Sequence, residues 1–229
     1  MLKELRVATN KFKRKILFKR KATELCQLGY SEIKYPDLLQ AVYRERRSDT
    51  LEIFGSGWSL ASTAAKVLPD SYKVGFNLAG YSRLNFDLYF FEVTAQNYIG
   101  EAQRELLNCV ATKRLVLKNL WSPNIETKQI ALKEYPKFQF INDIWVPQDK
   151  QNSYSQLKSI INNRENYCQI GSTFTSIVAM GIQCEFKNII LHGVDFMGEH
   201  FFHSPGTKYV ASLNYGRLDC PDGKSEEYL

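Results

Sequence analysis

Three short stretches of the chain hold residue types that could grip an anion. The first is Gly55-Ser56-Gly57-Trp58-Ser59, which follows the apolar run Leu51–Phe54. Small residues let a backbone approach an anion closely, and the first turn of a helix offers N–H groups and the positive end of its dipole. Gly55, Ser56, Gly57 and Ser59 are therefore candidate ligands for a phosphate. No third glycine stands at the dinucleotide spacing, and no Gly-Lys-Ser/Thr is present, so neither the usual dinucleotide fingerprint nor a P-loop is spelled out. A tight turn joining a buried strand to a helix would look the same. The second stretch is Gly171-Ser172-Thr173, whose hydroxyls could donate to an anion. The third is Gly193-Val194-Asp195-Phe196, where Asp195 either fixes a loop, caps a helix or does chemistry. Asn77, closing the short apolar stretch Lys73–Asn77, is a fourth polar group at a strand end.

General-base chemistry would fall to a histidine near neutral pKa. His192 lies inside an apolar run and reads as structural. His203 and His200 lie in Gly198-Glu-His-Phe-Phe-His-Ser-Pro205, and either a catalytic or a structural role suits them. No Asp-x-Asp closes a strand, and the three histidines have no carboxylate set beyond Glu199, so no metal is expected.

The elements that must carry these groups alternate. Thr50–Phe54, Lys73–Asn77, Phe86–Phe91, Arg114–Leu120, Phe138–Trp145 and Lys187–His192 read as strands, several of them continuous apolar runs covered on both faces. Ser59–Leu68, Thr94–Val110, Glu126–Glu134, Tyr154–Asn162 and the small-residue stretch after Gly171 read as helices. The expected fold class is α/β: a Rossmann-like, mainly parallel sheet with helices on both faces. In such sheets ligands bind beyond the carboxyl ends of the strands. The glycine turn, Asn77, Gly171–Thr173 and Gly193–Phe196 would all sit near that edge.

The 229 residues, 44% hydrophobic and 24% charged, suit an ordinary globular chain, with no apolar run of transmembrane length and no secretory leader pattern. Five scattered cysteines, none in CxxC spacing, suggest reduced thiols and a cytoplasmic setting. The net charge of +6 is uneven: residues 1–22 carry nine basic side chains against Glu4 alone, which leaves the rest slightly acidic. A nucleic-acid-binding body would hold its own basic face, so no nucleic-acid partner is expected. The basic stretch Leu2–Leu28 is an amphipathic helix, stopped by Gly29. It suits packing on its own domain, contact with an anionic membrane or an acidic partner. The division expected is residues 1–48 as a basic helical N-terminal extension and 49–229 as a nucleotide-sugar-binding domain. Asp222–Leu229 is polar, and reads as a tail or as the point where a longer protein was cut.

Gly-Ser-Gly-Trp-Ser-Leu60 resembles the Gly-Asn-Gly-Pro-Ser-Leu opening of bacterial sialyltransferases of glycosyltransferase family forty-two. Phe76-Asn77, Gly171-Ser172-Thr173-Phe174 with its apolar helix, and Gly193-Val194-Asp195-Phe196 stand in the family's order, over roughly residues 50–200. The resemblance implies a Rossmann-like domain, a GT-A-like variant. It would transfer sialic acid or Kdo from a CMP-sugar to a glycan or glycolipid acceptor without a metal, in surface polysaccharide or lipooligosaccharide synthesis. It also implies that Gly55, Ser56, Gly57, Ser59, Asn77, Ser172, Thr173 and Asp195 bind the donor. The family's phosphate-binding tyrosine is replaced by Met197, and Tyr209 or Tyr215 could substitute. The family's catalytic histidine has no aligned equivalent; His203 is the nearest in type, then His200. Such an enzyme would work in the cytoplasm, where the basic N-terminal helix suits a peripheral place on the inner face of the cell membrane, and a homo-oligomer is compatible with it. Two other readings share the motifs: a Rossmann-like phosphotransferase of pterin or nucleotide metabolism, and a non-catalytic nucleotide-binding module.

Overall fold

The structure, a computed structural model, describes residues 2–57, 59–82, 84–92, 106, 110–120, 138–146 and 152–195. The expected helices over 94–110 and 126–134 lie outside the described residues, apart from Leu106, which is helical, and Val110, which is not but whose N–H donates to the Leu106 carbonyl at 3.0 Å.

The centre is a seven-stranded sheet in which every neighbouring pair runs parallel. In chain order its strands are β1 (Ser31–Glu32), β2 (Thr50–Phe54), β3 (Tyr72–Phe76), β5 (Leu88–Glu92), β7 (Leu115–Lys118), β8 (Gln139–Phe140) and β11 (Asn188–His192). Across the sheet the order is β1-β8-β7-β5-β3-β2-β11. Two short parallel pairs flank it: β4 (Asn85–Phe86) with β6 (Ala111–Thr112), and β9 (Asp143–Val146) with β10 (Tyr167–Ile170). The α/β, mainly parallel architecture read from the sequence is the one observed.

Strand alternation sends side chains to two cores. Phe54, Tyr89, Phe91, Leu115, Leu117 and Phe140 pack on one face with Phe18 and Leu25 of α1 (Leu2–Gln27). Ile53, Val74, Leu88, Phe90 and Val116 pack on the other, with α2 (Tyr35–Glu45) and α5 (Thr173–Gln183). Helices thus cover both faces. A further helix, α4 (Ser153–Asn162), lies against α5.

Several boundaries differ from the sequence reading. The helix after the glycine turn is α3 (Leu60–Thr63) plus a 3-10 turn (Ala64–Lys66), not a helix through Leu68. Val67 is extended, and the Leu68 N–H donates to the Glu52 carboxylate at 3.2 Å, which draws the chain back to the sheet. The apolar run Phe86–Phe91 breaks at Asp87, whose buried carboxylate accepts from the Lys73 N–H, Arg47 and Lys113. Phe138–Trp145 likewise splits into β8 and β9, which join different sheets. The boundary expected at residue 48 is crossed by structure: β1 pairs with β8 at the sheet's edge, and Leu38, Leu39 and Val42 of α2 enter the second core. Residues 31–45 are part of the body, because their apolar side chains have nowhere else to be buried.

Candidate functional site

The carboxyl ends of β7, β5, β3, β2 and β11 form one edge, and four of the sequence-predicted segments meet it. The turn after β2 is zipped to the exit of β11. Gly55 N–H donates to His192 carbonyl at 2.8 Å, Gly57 N–H to Gly193 carbonyl at 2.7 Å, and Ser59 N–H to Asp195 Oδ2 at 2.8 Å. The approach is so close that a Cβ on Gly55 would stand 2.4 Å from the Gly193 oxygen, and one on Gly57 2.3 Å from Asp195 Oδ2. At Gly55 the obstacle is backbone, which cannot yield; at Gly57 it is the Asp195 side chain, which would have to leave its place. Gly193 itself has φ of 58°, in the left-handed region.

This geometry corrects one expectation. The N–H groups of Gly55, Gly57 and Ser59 are not aimed at an open anion site, because the β11 exit uses them. Asp195, for which three roles were open, accepts a loop hydrogen bond and holds the turn. Its negative charge stands where the sequence reading put a phosphate. With four residues, α3 is also too short to focus a useful dipole.

Asn77 leaves β3, the strand beside β2, with φ of 53°; its carbonyl accepts from Tyr89 Oη. Its side chain is exposed and has no partner among the described residues. Gly171, at φ of 66°, turns the chain into α5. Ser172 is the exposed N-cap: its Oγ accepts from Thr175 N–H at 3.4 Å, which leaves its own proton for another acceptor. Thr173 is buried and donates to Glu92 Oε2 at 3.4 Å, so its hydroxyl faces the protein. Ser56 is buried too. The exposed donors along this edge, among the predicted residues, are therefore Asn77 and Ser172. His203, His200, Tyr209 and Tyr215 lie outside the described residues.

The sequence reading missed a polar knot at the same edge. Glu92 ends β5, and Lys118 ends the adjacent β7. Lys118 is fully buried; its Nζ donates to Glu92 and, at 3.0 Å, to Gln169 Oε1 of β10. Asn119 Nδ2 donates to Glu92 Oε1 at 3.3 Å, and Asn119 N–H to Asp143 Oδ1 at 2.7 Å. Glu92 thereby ties β5, β7 and the start of α5 together. No local pattern signals this, since the partners are 26 and 51 residues from Lys118.

His192 proves structural, as its place in an apolar run suggested. Its ring stacks on Phe54 at 4.6 Å, and Nε2 meets buried Glu52 Oε1 at 2.9 Å. At the opposite, amino edge lies a cleft of about 780 Å³ that includes Phe86, Asp87, Lys73 and Lys113. Its cations are already committed to Asp87 and to backbone carbonyls, so it offers a poor anion site. Among the described residues no three His, Cys, Asp or Glu side chains converge as metal ligands.

No family model matches the chain, and no curated protein matches it. Among solved structures, the apo form of an α-2,3-sialyltransferase from Campylobacter jejuni is similar at 18% identity and a TM-score of 0.37. The match covers 67% of this chain and 62% of that one.

Proposed function

We propose that the carboxyl edge binds a CMP-activated sugar and that the chain transfers its sialic acid or Kdo residue to a glycan or glycolipid acceptor, without a metal. The observation that carries the reading is the convergence of the β2 turn, the β11 exit, Asn77 and Ser172 along one edge of a parallel sheet, where such sheets bind ligands. The motif order over residues 50–200 adds to it. In this reading the glycine turn and Asp195 do not touch the phosphate; they set the shape of the floor. The leaving phosphate accepts from the Ser172 hydroxyl and the Asn77 amide. Those uncharged donors suit a departing CMP, which carries one phosphate rather than two. The acceptor hydroxyl loses its proton to His203 or His200 as it attacks the anomeric carbon, and CMP departs with the bonding electron pair. Tyr209 or Tyr215 adds a further phosphate donor.

Calorimetry with CMP in excess EDTA tests the reading. Saturable one-to-one binding is expected, weakened about tenfold by Asn77→Ala and by Ser172→Ala, as loss of a hydrogen bond to a charged group implies. Affinity for ATP with none for CMP would overturn it in favour of a phosphotransferase.

One observation favours a second reading. The β2 turn has spent three N–H groups internally and holds a carboxylate, which also suits a nucleotide-binding module without turnover. CMP binding by a chain that never releases CMP from a CMP-sugar, with or without acceptor, would select the module.

A further inference from the structure

The outward face of α1 has a composition that the fold does not use. Among the described side chains, those from Phe12 onward, one side of this helix packs: Phe18, Lys21 and Leu25 are buried, and the Phe18 ring meets Phe140 edge-on at 6.2 Å. Phe12 and Ile16 are 65% and 51% exposed. At about 100° per residue they lie roughly 40° apart, and roughly 170° from the mean direction of the packed trio. They therefore point directly away from the body. Lys15 and Lys19 flank them on one side of the helix, Lys13 and Arg20 on the other, and all four are exposed. Lys13, Lys15 and Lys19 have no ion-pair partner among the described residues; Arg20 meets Glu24 at 3.7 Å. Arg14, by contrast, turns aside and lies over the Trp145 ring at 5.1 Å. No helix among the described residues is long and apolar enough to cross a membrane.

From this face we infer that α1 docks flat on an anionic lipid surface, with Phe12 and Ile16 entering the headgroup boundary and Lys13, Lys15, Lys19 and Arg20 meeting lipid phosphates. An apolar centre with basic flanks on both sides is the arrangement a helix needs to lie in the plane of a membrane. An acidic protein partner would reward the cations and gain nothing specific from a two-residue apolar ridge. A second copy of the chain would meet the same positive charges and be repelled. Phe18 and Leu25 anchor the later turns of the helix on the sheet. The inference is independent of what the carboxyl edge binds.

The test is flotation of the full chain with vesicles of phosphatidylcholine, alone and mixed about three to one with phosphatidylserine. Binding only to the mixed vesicles is expected, weakening as salt rises. Lys15→Gln with Lys19→Gln should weaken it on the order of twentyfold, at about fivefold per basic residue. Phe12→Ser with Ile16→Ser should weaken it at least about tenfold, through lost apolar insertion. Both double variants touch exposed positions, so their melting temperatures and CMP affinity should match the parent chain. Equal binding to the two vesicle types, no binding, or variants that bind as the parent does would overturn the inference. So would a dimer that dissociates on Phe12→Ser/Ile16→Ser without vesicle binding, or salt-sensitive binding of an RNA oligonucleotide in its place.

Discussion

Lys118 and Glu92 show what one buried charge demands of its neighbours. A lysine with no solvent exposure survives because a carboxylate and an amide oxygen meet its ammonium. Glu92→Ala should cost about 3 kcal/mol, since it leaves that charge uncompensated. Glu92→Leu combined with Lys118→Met should recover most of the loss, as urea denaturation would read. Lys21 is a second buried lysine. Desolvation first, and then the Arg20 charge, hold its pKa down to about 8, while Glu24 acts the other way. The folded form therefore releases its proton at lower pH than the unfolded chain does, so Lys21 detracts from stability below that value. The deficit disappears as pH climbs through 8 towards the ordinary lysine range. Lys21→Met should accordingly stabilise the fold near neutral pH, and its advantage should shrink in alkaline buffer. A constant difference between variant and parent across that range would contradict the assignment. Burial also lifts the Cys184 thiol to about 12, which makes it a poor nucleophile.

At the scale of elements, α1 divides along its length into an exposed part around Phe12 and Ile16 and a packed part. Its later turns are part of the core: Leu25 is fully buried, and Gly29 ends the helix at φ of 90°. Leu25→Ala should cost about 3 kcal/mol, whereas Ile16→Ala should leave the denaturation midpoint unchanged. Equal effects at both positions would mean that the helix packs differently. The β2 and β11 turns are a second unit, joined by three hydrogen bonds that the chain's linear order hides. Gly55→Ala forces a Cβ into the Gly193 carbonyl, a backbone atom that cannot step aside, and should destabilise more than Gly57→Ala, where the Asp195 side chain can rotate away. What the sequence made legible follows from burial. β2 and α5 are apolar over most of their length because they are covered, and their patterns are strong; β11 is equally apolar although it is an edge strand, with Leu191 44% exposed. β1, two residues of Ser and Glu at the sheet's rim, carries no such pattern. Asp195 could be placed near the glycine turn by topology, but its bond to Ser59 spans 136 residues and has no local signature.

In the whole molecule, the parallel sheet has two unlike edges. Its carboxyl edge presents Asn77 and Ser172 to solvent, while at its amino edge Arg47 and Lys113 are paired with Asp87. The α/β class and the gathering of distant motifs at one edge were readable from alternating elements. The distribution of donors along that edge was not, because it depends on which N–H groups the β11 exit consumes. The central claim, that this edge cradles CMP, is tested most directly by a crystal structure of the chain soaked with CMP. The account predicts the phosphate within hydrogen-bond reach of the Ser172 hydroxyl and the Asn77 amide, with Asp195 still bonded to Ser59. CMP seated in the cleft beside Asp87, or at this edge only after Asp195 has swung out of the turn, would contradict it.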